Sequence, residues 1–381
     1  IFQKGGVVMP IHIETIDSIH FRGIHDLSVE ALNHINIVTG DNNSGKTSLL
    51  EAILFLRNPN DLTNILRIAL VRDVNDYFAV ASVYGSFINL FPRHTKKLEV
   101  SINAKCKGKK IEFGLSGEQK MIMLDPEDAI KKAHPDKRNR IMCDMNSDLV
   151  EIDAFSGQLI STVNETVDKI AVEINAYSTI TGMEIRKNNL INVVYLASAA
   201  HIRGFAFDCI VRNDEYKEDC LQILKLFDSE IMDLLILKDL NTGKTREYIK
   251  HEKAGHIPLS TYGDGIKKVL SMANAIAKAA GGVLLIDEVD NAIHAKYYED
   301  IFRFIVRASL QFDVQIFMTT QSIEAIDALL ATQEYDHQGQ KDEISILTLK
   351  KINNELRTYS RVLKGRHVYT SREQFGFEAR L

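Results

Sequence analysis

The stretch Gly40-Asp-Asn-Asn-Ser-Gly-Lys-Thr-Ser48 matches the pattern G-x-x-x-x-G-K-[ST] and decides the fold. An apolar strand is predicted immediately before it, over 35–38, and apolar residues recur at helical spacing after it, over 49–56. Glycines let backbone N–H groups turn inward around phosphate oxygens, and the N-terminus of the following helix adds its positive end. Strand, loop and helix together predict a P-loop, so we expect a nucleotide-binding α/β domain.

Each residue type in this loop has a predicted role in holding a nucleoside triphosphate. We expect Lys46 to reach the β- and γ-phosphates and the hydroxyl of Thr47 to coordinate Mg²⁺. Further contacts to the nucleotide are expected from Asn42, Asn43, Ser44, Gly45 and Ser48. The chain has no Asn-Lys-x-Asp motif for reading guanine, so the predicted cofactors are ATP and Mg²⁺.

A pair of carboxylates follows an apolar strand that is predicted over 283–286. We expect Asp287 to support the metal ion and Glu288 to act as the general base for the attacking water. An apolar strand ending in Asp-Glu is common and often only structural, but downstream of a P-loop it indicates a Walker B motif. Because Lys46 and Asp287 stand 241 residues apart and must meet at one nucleotide, both halves of the chain are expected in a single core.

The rest of the sequence indicates a mixed α/β architecture. Buried strands alternate with helices in the last third, which is typical of a parallel sheet, with helices predicted over 264–280, 296–310 and 323–330 and strands over 283–286 and 314–319. Other strands are predicted over 80–91, 98–113 (broken at Lys107-Gly108), 191–196 and 344–349. An amphipathic helix is predicted over 215–227.

Composition excludes several classes of protein. The 381 residues carry a formal net charge of -5, and no apolar run reaches the roughly 18 residues that a membrane-spanning helix needs. The four cysteines lie far apart without a CxxC pair, and no secretory signal pattern is present. We therefore expect a cytoplasmic protein without a membrane partner.

A further motif, Pro258-Leu-Ser-Thr-Tyr-Gly-Asp-Gly265, lies before the helix that leads to Asp287. Taken alone, it reads as an ordinary helix cap and turn. Its position resembles the signature loop of ABC-type ATPases, which in that family reaches across a dimer to the γ-phosphate bound by the partner chain. The resemblance implies that Ser260 and Gly263 contact the nucleotide of a second protomer, and hence a homodimer or a larger homo-oligomer.

The order of these motifs, ending in a Thr-x-Ser strand end, resembles the ABC-type ATPases related to SMC and RecF proteins. More narrowly, it is similar to the ATPase half of the overcoming-lysogenization-defect (OLD) family and its antiphage-defence relatives. The segments that carry this resemblance are FRGIHDLSV, GDNNSGKTSLLEAI, PLSTYGDGIKKVL, LLIDEVDNAIH and FMTTQSIEAID. The Ile293-His294 pair favours the OLD-like group, because SMC, RecF and transporter ATPases usually carry Leu-Asp there.

Two departures from the family pattern modify what the resemblance implies. The family usually reads Thr-His-Ser where this chain reads Thr320-Gln321-Ser322. Gln321 can hydrogen-bond a γ-phosphate oxygen or water but cannot take a proton, so we expect hydrolysis to be slow or triggered by a partner. Only 60 residues follow Gln321, too few for the Toprim nuclease domain of OLD nucleases, so we expect an ATPase without a nuclease of its own.

The resulting expectation is an ABC-type ATPase head with a mixed sheet and a helical and strand insertion between the Walker A motif and the signature loop. The predicted division is an N-terminal core part over 9–124, a partner-facing insertion over 125–213 and a C-terminal core part over 214–381. Such a protein would act as a nucleotide-dependent sensor or switch that controls a separate nuclease or toxin in antiphage defence.

Two other functions stay open at this point. One is a RecF-like DNA-repair ATPase, with the basic cluster over 131–140 as a candidate nucleic-acid contact, although such a cluster is more often a solvated face and the net charge is acidic. The other is a scaffold that binds ATP without turning it over, for which Gln321 is the motivating residue.

Overall fold

The computed structural model describes residues 11–72, 82–93, 97–125, 150–178, 189–202, 207–238, 243–333, 342–352, 355 and 357–375. The strands in these ranges are β1 (Ile13–Phe21), β2 (Ile24–Val29), β3 (Ile35–Gly40), β4 (Leu98–Cys106), β5 (Lys109–Leu124), β6 (Val150–Val163), β7 (Thr166–Asn175), β8 (Val193–Leu196), β9 (Ile231–Lys238), β10 (Thr245–His251), β11 (Gly255–Pro258), β12 (Val283–Ile286), β13 (Gln315–Thr319), β14 (Ile344–Lys351) and β15 (Thr358–Lys364). The helices are α1 (Lys46–Leu54), α2 (Leu62–Leu70), α3 (Val83–Ile88), α4 (Asp214–Leu224), α5 (Asp264–Lys278), α6 (Tyr298–Gln311), α7 (Ile323–Leu330) and α8 (Gly365–Phe375).

The central sheet carries the loop 40–48 and has the strand order β15-β14-β3-β13-β12-β8. The strands from β14 to β8 are parallel, and β15 pairs antiparallel with β14 at one edge. Because carboxyl ends of parallel strands meet at one edge of a sheet, the residues after β3, β13 and β12 lie side by side. The predicted parallel α/β arrangement in the last third of the chain is confirmed.

Both faces of the central sheet are covered, which explains why its strands read as continuous apolar runs. Leu284 and Ile286 of β12 pack into a core that contains residues of α5, α6 and α7. Val283 and Leu285 of the same strand pack into a second core with residues of α1, α2 and the antiparallel sheet described next. All four of these strand residues are fully buried, so the sheet holds the residues at its carboxyl edge rigidly.

An antiparallel sheet of six strands has the order β2-β1-β4-β5-β6-β7. Its first strand is tied to the central sheet by the buried Gln315, whose Oε1 accepts hydrogen bonds from the backbone N–H groups of His12 (3.0 Å) and Ile13 (2.7 Å). The range predicted as an insertion contributes to both sheets, since β6 and β7 extend this one and β8 is the far edge of the central sheet. The division at 125 and 213 stays a prediction, and the basic cluster over 131–140 lies outside the described residues.

A small sheet with the order β11-β10-β9 precedes the segment that resembles a signature loop. The predicted helix before it is confirmed as α4, and β11 leads directly into the short 3₁₀ helix Leu259–Thr261 and then into α5. Helix α5 packs on the central sheet with an almost continuous buried face. This connection places the motif 258–265 at the N-terminal end of a long, well-anchored helix.

The strand predicted over 80–91 is wrong, because the described part of that range contains α3. Ser82 caps this helix, and its side chain accepts a hydrogen bond from the backbone N–H of Gly85 at 3.0 Å. The buried aromatic residues Tyr84, Phe87 and Phe91 are spaced by three and four positions, which is a helical period. The cap and this spacing outweigh the β-branched and aromatic composition that suggested a strand.

Candidate nucleotide-binding site

The loop 40–48 has a backbone that only a glycine-rich sequence can adopt comfortably. Gly40 (φ 136°) and Gly45 (φ 107°) both lie in the region that L side chains rarely enter, and Asn43 has a φ of 63°. A Cβ at Gly40 would overlap the carbonyl oxygen of Leu349 on the neighbouring strand β14. The loop then opens α1, whose first residue is Lys46, so the free N–H groups of the helix start face the loop.

Lys46 points its amine back into this loop. Its Nζ donates hydrogen bonds to the carbonyl oxygens of Gly40 and Asp41, both at 2.8 Å. Burial lowers the pKa of Lys46, and the carboxylates of Asp287, Asp41 and Glu288 oppose that shift. The amine is thus held where a phosphate chain inside the loop would meet a positive charge.

Asp287 lies at the end of β12 and receives hydrogen bonds from three hydroxyl groups. The Thr47 hydroxyl is 3.1 Å from both of its carboxylate oxygens, and the Thr319 hydroxyl donates to Oδ1 at 2.7 Å. The Tyr195 hydroxyl donates to Oδ2 at 3.4 Å. The structure therefore brings together Thr47 and Asp287, the two predicted metal ligands, at the carboxyl edge of the central sheet.

Glu288 has a left-handed backbone (φ 50°) and an exposed side chain. Its backbone N–H donates to the hydroxyl of Thr319 at 2.7 Å, so Thr319 fixes both members of the acidic pair. Thr319 is the last residue of β13, the strand between β3 and β12. Sequence reasoning missed Thr319, although its place directly before Thr320-Gln321-Ser322 was a usable signal.

Gln321 lies against the loop 40–48. Its Nε2 donates to the side-chain oxygen of Asn42 at 2.7 Å, and both side chains are exposed. Ser44 of the same loop is buried, and its hydroxyl has no hydrogen-bond partner among the described residues. An orphaned hydroxyl inside the loop, beside the N-terminus of α1, suits an additional acceptor such as a phosphate oxygen.

Ser260 and Gly263 are not part of this cluster. Ser260 lies in the 3₁₀ helix Leu259–Thr261, Gly263 is the cap residue of α5, and both are exposed. Within the described part of the chain, neither forms a hydrogen bond with the loop 40–48. Their placement on an exposed helix start leaves them available to a second molecule.

A lysine on α5 contacts the segment that follows β12 and was also missed. Lys268 is buried, and its amine donates to the carbonyl oxygens of Glu288 (3.1 Å) and Ser198 (3.3 Å). Burial lowers the pKa of Lys268 to about 8, against the opposing carboxylates of Asp287, Asp290 and Glu288. Its position among apolar residues of an amphipathic helix gave no signal, because the pattern alone predicts a solvated lysine.

A buried ion network lies behind the loop. Glu51 of α1 is fully buried and contacts the guanidinium groups of Arg22 (2.9 Å) and Arg72 (2.6 and 2.8 Å). Arg72 also donates to the Ser48 hydroxyl at 3.1 Å. Burial alone would lower the pKa of Arg72, but the hydrogen bonds and charge of Glu51 outweigh it and raise that pKa.

A cleft of about 570 Å³ adjoins the loop at Asn43, Gly45 and Ser48. Its lining contains four cationic groups, Arg22, Arg72, Arg93 and Lys351, together with His25 and the carboxylate of Glu355. The turn between β1 and β2 forms one wall, and a Cβ at Gly45 would lie 3.0 Å from the side chain of Ile24. The motif FRGIH contains the first of these cations, but the sequence did not show that residues from four distant segments share one cleft with it.

The residues present fit a nucleotide with its metal ion. Thr47 and Asp287 offer only oxygen donors, which Mg²⁺ prefers, and the loop and Lys46 offer donors to phosphate. The strand order, the loop geometry and the acidic pair on a strand of the same sheet define an ABC-type P-loop ATPase fold.

The comparisons with known proteins agree with this class. The sequence model of the family described as "AAA domain, putative AbiEii toxin, Type IV TA system" matches residues 124–327, more than half of the chain. This protein belongs to that family. A second model, described as a protein of unknown function (DUF2813), matches residues 11–65.

Individual relatives are more distant. An "ATP/GTP phosphatase" of Helicobacter pylori is 22% identical over 355 residues, covering 86% of this chain and 90% of the relative. The DNA replication and repair protein RecF of Streptococcus thermophilus is 29% identical over 140 residues, covering 34% of this chain and 36% of that protein. A crystal structure described as the SmcHead bound to the C-winged helix domain of ScpA has 14% identity and a TM-score of 0.49, covering 93% of this chain and 98% of that one.

None of the helices in the described residues is long and apolar enough to cross a membrane.

Proposed function

We propose that this protein binds ATP with Mg²⁺ at the loop 40–48 and hydrolyses it, and that a second copy completes the site. The observation that carries the proposal is the cluster in which Thr47 and Thr319 donate to Asp287 while Lys46 lies inside the loop. The similarity to a relative named ATP/GTP phosphatase, over most of both chains, supports the same chemistry.

The residues have separable tasks in this reaction. Lys46 and the loop N–H groups bind the phosphates, and Thr47 and Asp287 would hold Mg²⁺. The bound metal ion would neutralise charge that develops on the phosphate oxygens. Glu288 accepts a proton from the attacking water as general base, and its exposed carboxylate leaves room for that water.

Gln321 orients water rather than deprotonating it. Its amide is held by Asn42 on the loop, so the side chain lies beside the position of the phosphate chain. Because an amide cannot take a proton at neutral pH, the only proton acceptor assigned to this site is Glu288. We therefore expect slow turnover that depends on assembly or on a partner.

The cationic cleft beside the loop takes the nucleoside end of ATP and the charge of its phosphates. It opens directly from Asn43, Gly45 and Ser48, and one of its cations, Arg72, interacts electrostatically with the carboxylate of Asp287. Cationic guanidinium groups can stack on a base or donate to ribose and phosphate oxygens. The network of Glu51, Arg22 and Arg72 then keeps this end of the cleft rigid.

The placement of Ser260 and Gly263 supports assembly around the nucleotide. They lie on an exposed helix start and form no hydrogen bond with the loop 40–48 of the same chain, within the ranges described. A helix N-terminus that docks on a γ-phosphate supplies N–H donors and a favourable dipole. ATP would therefore hold two protomers together and its hydrolysis would release them.

The wider task that we propose is control of a separate effector, a nuclease or a toxin, in antiphage defence. Support comes from the sequence resemblance to the OLD-like group and from the family description, which names a putative toxin and a type IV toxin–antitoxin system. An ATPase that opens and closes with its nucleotide provides a two-state element that an effector can read.

The ATPase proposal is tested by ATP affinity and phosphate release for the wild-type chain, Lys46→Met and Glu288→Gln. Lys46→Met should lose ATP binding, whereas Glu288→Gln should bind ATP and lose turnover by about 100-fold or more. Lys278→Met, an exposed lysine at the end of α5, is the matched control and should behave as wild type. Turnover that survives in Glu288→Gln would refute the assignment of the general base, and wild-type protein that binds ATP without turnover in every assembly state would indicate a scaffold.

Assembly is tested by native mass spectrometry of Glu288→Gln with and without ATP. A dimer or larger oligomer that forms only with ATP supports the composite site, and Ser260→Arg should abolish it by placing a bulky cation at the docking surface. An unchanged mass with ATP would contradict the composite site.

A second candidate function is DNA binding in the manner of a repair ATPase, and the partial similarity to RecF favours it. Filter binding of the isolated chain at increasing salt separates the two functions. Affinity for DNA that requires ATP and falls steeply with salt would indicate repair. No DNA binding, together with ATP-dependent toxicity or nuclease activity on co-expression with the product of a neighbouring gene, would indicate an effector system.

A further inference from the structure

The buried Lys268 has no task in the reaction as set out above. It lies on the second turn of α5 and is 1% exposed, although lysine is almost never fully buried unless it is paired. Its amine donates to two backbone carbonyl oxygens, those of Glu288 and Ser198. These residues follow β12 and β8, so one amine ties the ends of two neighbouring strands to one helix.

The backbone of Glu288 is hydrogen-bonded through both its N–H group and its carbonyl oxygen. Its N–H donates to the Thr319 hydroxyl at 2.7 Å, and its carbonyl oxygen accepts from Lys268 at 3.1 Å. The φ of 50° at Glu288 is uncommon for a residue with a side chain, and such a backbone persists only where its surroundings over-determine it. Lys268 and Thr319 supply that constraint from α5 and β13.

Helix α5 makes a second close contact with the same segment. A Cβ at Gly265 would lie 3.3 Å from the carbonyl oxygen of Ala292, so the first turn of α5 packs directly on the backbone after the acidic pair. Ala292 also has a left-handed backbone, with a φ of 67°. A displacement of the start of α5 would therefore act on the segment after β12 through two contacts, one from Lys268 to Glu288 and one from Gly265 to Ala292.

Charge reinforces the contact. The cation of Lys268 faces the carboxylates of Asp287, Glu288 and Asp290 after β12, and the His201 ring in the 3₁₀ helix Ala200–Ile202 lies near it. Asp290 has a buried carboxylate oxygen without a hydrogen-bond partner among the described residues. The amine therefore stabilises a segment that concentrates negative charge beside the phosphate site.

We propose that Lys268 is a positioning residue that transmits docking of a second protomer on the 258–265 motif to the general base Glu288. The inference rests on the proposed ATP hydrolysis at a composite site. Docking moves the start of α5, α5 moves Lys268, and Lys268 sets the carbonyl of Glu288 and with it the direction of the catalytic carboxylate. Lys268 touches neither the nucleotide nor the water.

The test compares Lys268→Met with the control Lys278→Met on the same helix. Methionine preserves the length and most of the volume of the side chain, so the change removes the amine and its two hydrogen bonds while most of the packing is kept. We expect Lys268→Met to keep the wild-type Kd and KM for ATP within about twofold while kcat falls about 100-fold, since a misplacement near 1 Å costs about that much. ATP-dependent assembly, measured by native mass, should persist.

Several results would overturn the inference. A folded Lys268→Met protein with wild-type kcat would do so, as would an equal loss of ATP affinity and of kcat/KM. Lys268→Gln, whose amide ends short of both carbonyl oxygens, is the second variant and should show the same selective loss of kcat. If neither variant melts cooperatively, Lys268 is structural and the inference is wrong.

The same series reports on the proposed function separately. Wild-type and Lys278→Met proteins that lack turnover would refute ATP hydrolysis itself, whatever the Lys268 variants do. Turnover in both of these proteins, with Lys268→Met indistinguishable from them, would refute only the positioning role.

Discussion

Replacing Glu51 is expected to destabilise the protein because it leaves the buried guanidinium of Arg22 without its ion-pair partner. Glu51 lies on α1 directly behind the loop 40–48 and is fully buried between Arg22 and Arg72. Glu51→Leu introduces an apolar, helix-compatible side chain of similar size, so the change removes charge more than packing. Both Arg22 and Arg72 then lose the carboxylate with which they pair.

The size of the effect depends on how far each arginine can reach water. The side chain of Arg22 is 9% exposed, so loss of its ion-pair partner should cost about 3–5 kcal/mol, as for other broken buried pairs. The side chain of Arg72 is 45% exposed and can rehydrate, so its share should be about 1 kcal/mol or less. We therefore expect the free energy of unfolding to fall by about 3–5 kcal/mol, dominated by Arg22.

Urea denaturation followed by circular dichroism measures this change. The midpoint should fall by about 1 M or more for Glu51→Leu. Glu299→Leu, which breaks an exposed pair with Arg303 on α6, is the control and should change the free energy of unfolding by about 0.5 kcal/mol or less. The double variant Glu51→Leu, Arg22→Met should recover much of the loss because no buried charge remains alone. A loss below about 1 kcal/mol, or no recovery in the double variant, would refute the reasoning.

Three further predictions concern the loop and the acidic pair. Gly40→Ala should lower the free energy of unfolding in urea by more than about 2 kcal/mol, because a Cβ there overlaps the Leu349 carbonyl oxygen. The control Gly255→Ala has a φ of 74° but open space around it and should cost about 1 kcal/mol. Equal losses in the two variants would contradict the steric argument. Thr319→Val removes the hydroxyl that contacts both Asp287 and Glu288. In a phosphate-release assay kcat should therefore fall at least about tenfold, with little change in ATP affinity. An unchanged kcat would show that Thr319 does not hold the acidic pair in place. Gln321→His should raise kcat by roughly tenfold near pH 7, since an imidazole can accept a proton; a flat response from pH 6 to 8 would mean that proton transfer at this position does not limit turnover.

The sequence predicted the parts of the site that are local in the chain. The P-loop and the Asp-Glu pair each combine a strand, a turn and a chemical function within about ten residues, so periodicity and residue type suffice to find them. The structure confirms the strand before each motif and places Thr47 in contact with Asp287 across 240 positions. The strand predicted over 80–91 is wrong because the buried aromatic residues there recur at three- and four-residue spacing, which is a helical period.

The missed residues have in common that their partners lie on other elements, 20 to 92 positions away in the chain. Tyr195 and Lys268 look like ordinary residues of a strand and of a buried helix face, and only the sheet order reveals what they touch. Thr319 had a local signal in its place before Thr320-Gln321-Ser322, but its two contacts also depend on the sheet order. Because β13 lies between β3 and β12, its last side chain falls between the loop 40–48 and the acidic pair. No local pattern encodes that order, since it arises from crossover connections between segments that are separated by tens to hundreds of residues.

The same difference between local and distant contacts applies to the two halves of the proposed reaction cycle, ATP binding and the control of hydrolysis. The first can be predicted from a sequence motif and the second cannot. ATP binding uses backbone N–H groups and a lysine in one continuous segment, and a short motif describes it fully. Control of hydrolysis requires that an event at the 258–265 motif alters the geometry of Glu288, and the sequence separates them by more than twenty residues and one strand. In the structure that distance is bridged by the amine of Lys268 and by the contact of Gly265 with Ala292. A variant that keeps both motifs intact and changes only Lys268 therefore distinguishes a nucleotide site that senses its partner from one that merely binds ATP.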